Sequence, residues 1–176
     1  MTLHGVCLHP LTTHADDRGT FTEIFRQEWG LGVEPLQWNA VRTEARVLRG
    51  VHVHVAHADL LTVLAGRATI GLRDVRSGSP TSGAATTVEL RGDAMQAIVI
   101  PPGVAHGFLF HEPSLHVYSV TEYWAPEDEM GCHWADPALG IAWPFEPERV
   151  SERDEAAGSL AELEAQLALH QAAFAV

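Results

Sequence analysis
The chain has 176 residues, is 46% apolar and carries a formal charge of −12, which fits one soluble domain over 1–176 and leaves no apolar run long enough to span a bilayer. The acidic balance excludes nucleic acid and anionic membrane as expected partners, because both select clustered cations. All 11 Lys+Arg positions are arginine, so Schiff-base chemistry and any step that needs an ammonium group are excluded.

The N-terminus lacks the charged-then-apolar pattern of a secretion signal, and Cys7 and Cys132 are too few and too distant to make a disulfide framework, so a cytoplasmic location is expected. The densest cluster of reactive side chains follows at Leu48-Arg-Gly-Val-His-Val-His54 through Gly66, read as one β-hairpin bearing Arg49, His52, His54, His57 and Asp59. In a strand the side chains alternate, so His52 and His54 share a face and the valines between them take the other. His57 is expected in a solvated loop. Arg73, Asp74 and Arg76 read as a structural ion-pair group, followed by the turn Ser77-Gly-Ser-Pro80.

Ala97 to Ile100 and His116 to Val120 are short apolar strands separated by Pro101-Pro-Gly103 and similar clusters, a spacing that predicts a β-sandwich or barrel. The acidic patch Glu127 to Glu129 reads as a solvated turn, and Trp134 and Trp143 as packing residues of the C-terminal segment. Ser159 to Ala173 carries Leu160, Leu163 and Leu167 at helical intervals, with Ser159 and Glu162 as a capping box. His4, His14, His111, His116, His133 and His170 are expected at the surface or in packing. No repeat, low-complexity tract or second domain is evident.

Eight motifs occur in one order: Asp17-Arg-Gly-Thr-Phe-Thr-Glu23, Gln37-Trp-Asn39, Leu48-Arg-Gly-Val-His52, Gly78-Ser-Pro-Thr81, Ile100-Pro-Pro-Gly-Val-Ala-His-Gly-Phe108, Trp134-Ala-Asp-Pro137, Gly140-Ile-Ala-Trp-Pro144 and Ser151-Glu-Arg-Asp154. Together they resemble the dTDP-4-dehydrorhamnose 3,5-epimerases, nearly end to end. The resemblance implies an all-β, cupin-type double-stranded β-helix (a jelly-roll sandwich) with a short C-terminal helix, working as a cytoplasmic homodimer without metal. It implies epimerisation of a dTDP-4-keto-6-deoxyhexose at C3, C5 or both, with His52 as base, Asp154 as its partner and Tyr118 as acid on the opposite side of the ring. Arg18, Arg49 and His106 then lie near the diphosphate, and Phe21, Glu23, Gln37, Asn39 and Trp124 around the thymine, with Arg18, Phe21 and Glu23 reaching into the partner's site.

The pattern departs from the family at Asp59, where a lysine usually stabilises the enolate. Exchanging a cation for an anion changes the local charge by two units, each worth roughly 4 kcal/mol at 4 Å and an effective dielectric near 20. Two other readings of the same residues stay open. His52-x-His54, Asp59 and His106 resemble the metal-binding cupin signature, a ligand set for one divalent transition metal and an unrelated small substrate. Arg49-Gly-Val-His-Val-His54 resembles the paired-histidine motif of dTDP-sugar 3,4-ketoisomerases, in which His52 and His54 would move protons between C3 and C4.

Overall fold
The computed structural model describes residues 2–123, 125 and 128–174. Within them the short apolar runs become strands: β1 (Cys7–Pro10), β2 (Thr13–Asp16), β3 (Gly19–Thr22), β4 (Gln37–Thr43), β5 (Leu48–Val53), β6 (Asp59–Ala65), β7 (Arg67–Asp74), β8 (Ala85–Arg91), β9 (Gln96–Ile100), β10 (Val104–Phe110), β11 (Ser114–Val120) and β12 (Met130–Gly131). One five-stranded sheet has the order β1-β9-β6-β11-β4 and the other β12-β5-β10-β7-β8, while β2 and β3 form a separate hairpin. All paired strands are antiparallel. This is the jelly-roll sandwich expected from the motifs.

The predicted hairpin over Leu48 to Gly66 does not form. β5 pairs with β10 and β12 in one sheet, while β6 pairs with β9 and β11 in the other. Residues 54–58 therefore carry the chain across the sandwich. Each strand finds its apolar partners in a different layer, and the sandwich buries more apolar surface than a local hairpin does.

The space between the sheets is filled by Leu61, Val63, Ile70, Leu72, Ile98 and Phe110, all at most 1% exposed. The other face of the second sheet is covered by the C-terminal segment. Val51, Val53, Ala105 and Cys132 pack there against Leu139, Trp134, Trp143 and the leucines of helix α2 (Leu160–Phe174). Leu160, Leu163 and Leu167 each contribute about 2 kcal/mol by leaving water. The capping box forms as predicted: Ser159 N donates to Glu162 Oε2 at 2.7 Å, and Glu162 N donates to Ser159 Oγ at 3.3 Å.

Two glycines set this packing. A Cβ on Gly71 would overlap the Trp143 ring, so a bare backbone makes room for the indole. At Gly50 φ is +111°, and a Cβ would lie 2.8 Å from Gly107 Cα and from His106 O. Only glycine permits β5 to approach β10 this closely, which places His52 directly opposite His106 in the ladder.

Of the expected structural ion-pair group, Asp74 and Arg76 pair and Arg73 does not join them. Asp74, fully buried, accepts from Arg76 Nε at 2.8 Å, Ser79 Oγ at 2.6 Å and Thr81 Oγ1 at 2.6 Å. Burial opposes its ionisation, but these donors outweigh it and hold the carboxyl far below the usual range. The Gly78-Ser-Pro-Thr81 motif is thereby tied to β7, whereas Arg73 Nη1 reaches the Leu139 carbonyl at 3.4 Å. Cys7 is exposed and Cys132 buried, and they are not bridged.

Candidate active site
A cavity of about 440 Å³ opens between the two sheets. One wall is built by β5, β10 and the loop after β5, with Arg49, His52, His54, His106 and Phe108, and the other by β4, β6 and β11, with Val41, Asp59, His116, Tyr118 and Val120. The alternation predicted for His52 and His54 holds: both line the cavity, while Val51 and Val53 face the outer core.

Four-residue helix α1 (Glu152–Glu155) delivers Asp154 to His52. Ser151 caps this turn by accepting from Asp154 N at 3.1 Å. Asp154 Oδ1 then lies 2.7 Å from His52 Nε2, and Oδ2 accepts from Gly50 N at 3.1 Å. Burial opposes ionisation of Asp154, but the hydrogen bonds from His52 and Gly50 prevail and hold its carboxyl below the usual range. With Asp154 ionised and accepting, Nε2 carries the proton and Nδ1 presents the lone pair. Tyr118 is on the opposite wall. Burial, and then Asp59, push its phenol above the ordinary value, so it keeps its proton at neutral pH.

Beside this pair is a buried group that sequence reading recovered only in part. Asp59 Oδ2 is 3.6 Å from His106 Nε2 and 3.8 Å from His54 Nε2. The His54 and His57 rings stack with centroids 4.1 Å apart, and His57 Nδ1 is 2.8 Å from Asp128 Oδ2. Burial, with Glu129 and Asp128 nearby, pushes the Asp59 carboxyl up to about 8. Burial and the neighbouring His57 lower His54 to about 4, and burial with His54 holds His106 well below its ordinary value. These surroundings favour the uncharged form of all three groups near neutral pH. Of the alternatives the sequence leaves for Asp59, neutralisation is the one its surroundings favour, because burial and the nearby Glu129 and Asp128 disfavour a further negative charge.

Several expectations need correction. His57 is not solvated but 2% exposed, held between the His54 ring and Asp128. The acidic patch is not a solvated turn at its described residues. Asp128 is buried and accepts from Val55 N at 3.0 Å and Ala56 N at 3.2 Å. Glu129 lines the cavity, 3.8 Å from His54 Nδ1 and 2.7 Å from Arg153. The set His52, His54, Asp59 and His106 is not one cluster, because His52 is engaged by Asp154. The donor atoms that converge are those of His54, His57 and Asp59, all within 4.8 Å of one another.

The binding residues are divided. Arg49 and His106 line the cavity, and Arg49 Nε donates to Thr43 Oγ1 at 3.2 Å. Gln37 and Asn39, joined by a 3.0 Å hydrogen bond, continue the Tyr118 face along β4, where Asn39 sits opposite Tyr118. Arg18, Phe21 and Glu23 are not brought to this cavity. Arg18 and Phe21 are on the exposed β2–β3 hairpin, with Arg18 paired to Asp16 and Phe21 64% exposed, and Glu23 follows it beside Arg26. Trp124 lies outside the described residues. Sequence reading missed His116, Glu129, Arg149 and Arg153 as cavity residues. Alternation from Tyr118 along β11 points to His116, whereas the other three come from loops and a short turn with no periodic signal.

The family model for dTDP-4-dehydrorhamnose 3,5-epimerase matches residues 1–162. The dTDP-4-dehydrorhamnose 3,5-epimerase of Pseudomonas aeruginosa is 35% identical over 166 residues, covering 88% of this chain and 90% of the relative. The crystal structure of the 3,5-epimerase RmlC from Legionella pneumophila, in complex with dTDP-4-keto-L-rhamnose, superposes with a TM-score of 0.86 at 34% identity, covering 95% of this chain and 94% of that one. ChmJ, a 3'-monoepimerase from Streptomyces bikiniensis in complex with dTDP-quinovose, gives a TM-score of 0.86 at 29% identity, covering 96% of this chain and 90% of that one.

Proposed function
The chain belongs to the dTDP-4-dehydrorhamnose 3,5-epimerase family, isomerases of deoxysugar biosynthesis, and we propose that it inverts a dTDP-4-keto-6-deoxyhexose at C3, at C5 or at both through an enolate. The observation that carries the mechanism is the placement of the His52–Asp154 pair and Tyr118 on facing walls of one cavity. A proton beside a ketone leaves at neutral pH only to a positioned base while the oxygen's developing charge is stabilised. His52 Nδ1 takes that proton. Asp154 fixes the tautomer and stabilises the imidazolium that results. Tyr118, kept protonated by burial, returns a proton to the other face and so inverts the centre.

Arg49 supplies a planar fork for diphosphate oxygens inside the cavity. His106, uncharged and turned toward Asp59, belongs to the neighbouring cluster instead. We infer that the remaining nucleotide contacts come from a second copy: Arg18, Phe21 and Glu23 stand exposed on or beside a hairpin outside their own cavity, a position suited to a homodimer in which each hairpin completes the other site. Gln37 and Asn39, joined to each other, then stand beside the thymine. No helix among the described residues is long and apolar enough to cross a membrane.

The reading is tested by incubating the protein with dTDP-4-keto-6-deoxyglucose and identifying the product by NMR. A stereoisomer with the ketone still at C4 is expected. A ketone moved to C3 would replace this function by ketoisomerisation, and unchanged substrate would remove it.

A further inference from the structure
The loop that crosses the sandwich places His54, His57 and Asp59 within six residues of one another, and their donor atoms converge within 4.8 Å. Around a tetrahedral ion with bonds of about 2.0–2.1 Å the donors stand roughly 3.4 Å apart, so the set closes once the stacked His54 and His57 rings turn out of their near-parallel arrangement to aim their lone pairs at one point. All three residues are at most 6% exposed.

The groups behind these side chains also bear on metal binding. A histidine ligand characteristically engages its other ring nitrogen with a carboxylate or a carbonyl, which fixes the tautomer and aims the free lone pair. His57 Nδ1 faces Asp128 Oδ2 at 2.8 Å, and His106 Nδ1 donates to the Val104 carbonyl at 3.0 Å. The His106 bond leaves its Nε2 as the lone-pair donor, 3.6 Å from the same Asp59 oxygen that His54 faces. A merely structural histidine cluster satisfies its nitrogens internally, yet His54 Nδ1 is buried without a hydrogen-bond partner.

We propose that His54, His57 and Asp59, with His106 in reach as a fourth donor, bind one divalent transition cation in the wall of the cavity. Imidazole nitrogens with a single carboxylate suit zinc, manganese, iron or nickel. His52 is not part of the set, since Asp154 holds it, so a base and a cation coexist in one cavity instead of competing for one imidazole. For catalysis the inference rests on the epimerase reading. There a cation that keeps one coordination position open would supply beside the substrate the positive charge that a lysine gives in the family and that Asp59 lacks, as a Lewis acid toward the carbonyl oxygen.

The test uses the full-length protein, stripped with a chelator and titrated separately with Zn²⁺, Mn²⁺ and Co²⁺. Metal content after desalting and the visible spectrum of the Co²⁺ form are the readouts. About one ion per chain is expected for the wild type and for His52→Ala, with at least tenfold weaker binding in His57→Ala and in Asp59→Asn. Melting curves of the metal-free variants identify any that are unfolded, and His57→Gln then stands in for His57→Ala. Substoichiometric binding with no Co²⁺ band overturns the proposal. So does an ion lost in His52→Ala but kept in His57→Ala. Solvent-deuterium exchange by the stripped enzyme is measured in parallel, so failure of the metal site and failure of the epimerase reading give different results.

Discussion

Replacing Asp154 by asparagine keeps the shape of the side chain and removes what the geometry requires of it. Oδ1 lies 2.7 Å from His52 Nε2, and Oδ2 accepts from Gly50 N at 3.1 Å. An amide has one acceptor and one donor for these two positions. With its oxygen toward His52, the NH₂ group meets the Gly50 N–H, and a buried donor loses its partner at a cost of about 1–3 kcal/mol. With its NH₂ toward His52, Nε2 must accept, the ring proton moves to Nδ1, and the nitrogen assigned to the substrate is already protonated. Either orientation removes a charge-assisted bond to the imidazolium worth about 1.5–3 kcal/mol, or roughly 10–150-fold in rate. Loss of the tautomer carries the total toward roughly 10⁴-fold. The assay is kcat and KM by NMR-monitored epimerisation, with a melting curve to confirm folding. We expect kcat to fall by 10²- to 10⁴-fold with KM little changed, and a folded variant within threefold of wild type would refute the pairing.

Tyr118→Phe is expected to separate deprotonation from inversion: solvent deuterium still enters the substrate with retained configuration, while epimer formation drops by about 10²-fold or more. Equal loss of both would remove the tyrosine from its assigned role. Burial and Arg49 lower His116 from 6.5 to about 4, so between these values the unfolded chain binds a proton that the folded chain refuses, and stability falls as pH drops. The loss is about 3 kcal/mol from pH 6.5 to 4. His116→Asn flattens that limb of a urea-denaturation pH series; parallel curves for the two proteins would contradict the assignment. Mixing Arg18→Ala with His52→Ala after joint refolding is expected to restore about a quarter of wild-type activity, because one of the sites in each mixed dimer is intact. No recovery would place Arg18 in its own chain's site, and full activity of Arg18→Ala alone would place it outside any site.

The residues legible in the sequence are those whose role is local or periodic. Alternation put His52 and His54 on the cavity face, and the capping box at Ser159 set the start of α2 within one residue. The Asp74–Arg76 pair is legible as structural, whereas Arg73 stays out of it and the donors that complete it, Ser79 and Thr81, come from the following turn. What could not be read was which sheet a strand joins. β5 and β6 look like a hairpin because both are short and apolar, yet their partners lie some 40–80 residues downstream in sequence. That choice decides the burial of His57, since a hairpin loop would face water and a crossing loop is enclosed. Glu129 and Asp128 were hidden for the same reason: an acidic triplet reads as solvated, and its inward members are fixed by long-range pairing with His57, Arg153 and the loop backbone.

The most direct test of the account is location of solvent deuterium in dTDP-4-keto-6-deoxyglucose turned over in D₂O, by wild type and by a folded His52→Gln variant. Deuterium at C3, C5 or both with the C4 ketone retained, and its loss by at least 10²-fold in the variant, is the predicted result. Undiminished exchange in the variant, or deuterium at neither carbon in the wild type, would contradict it.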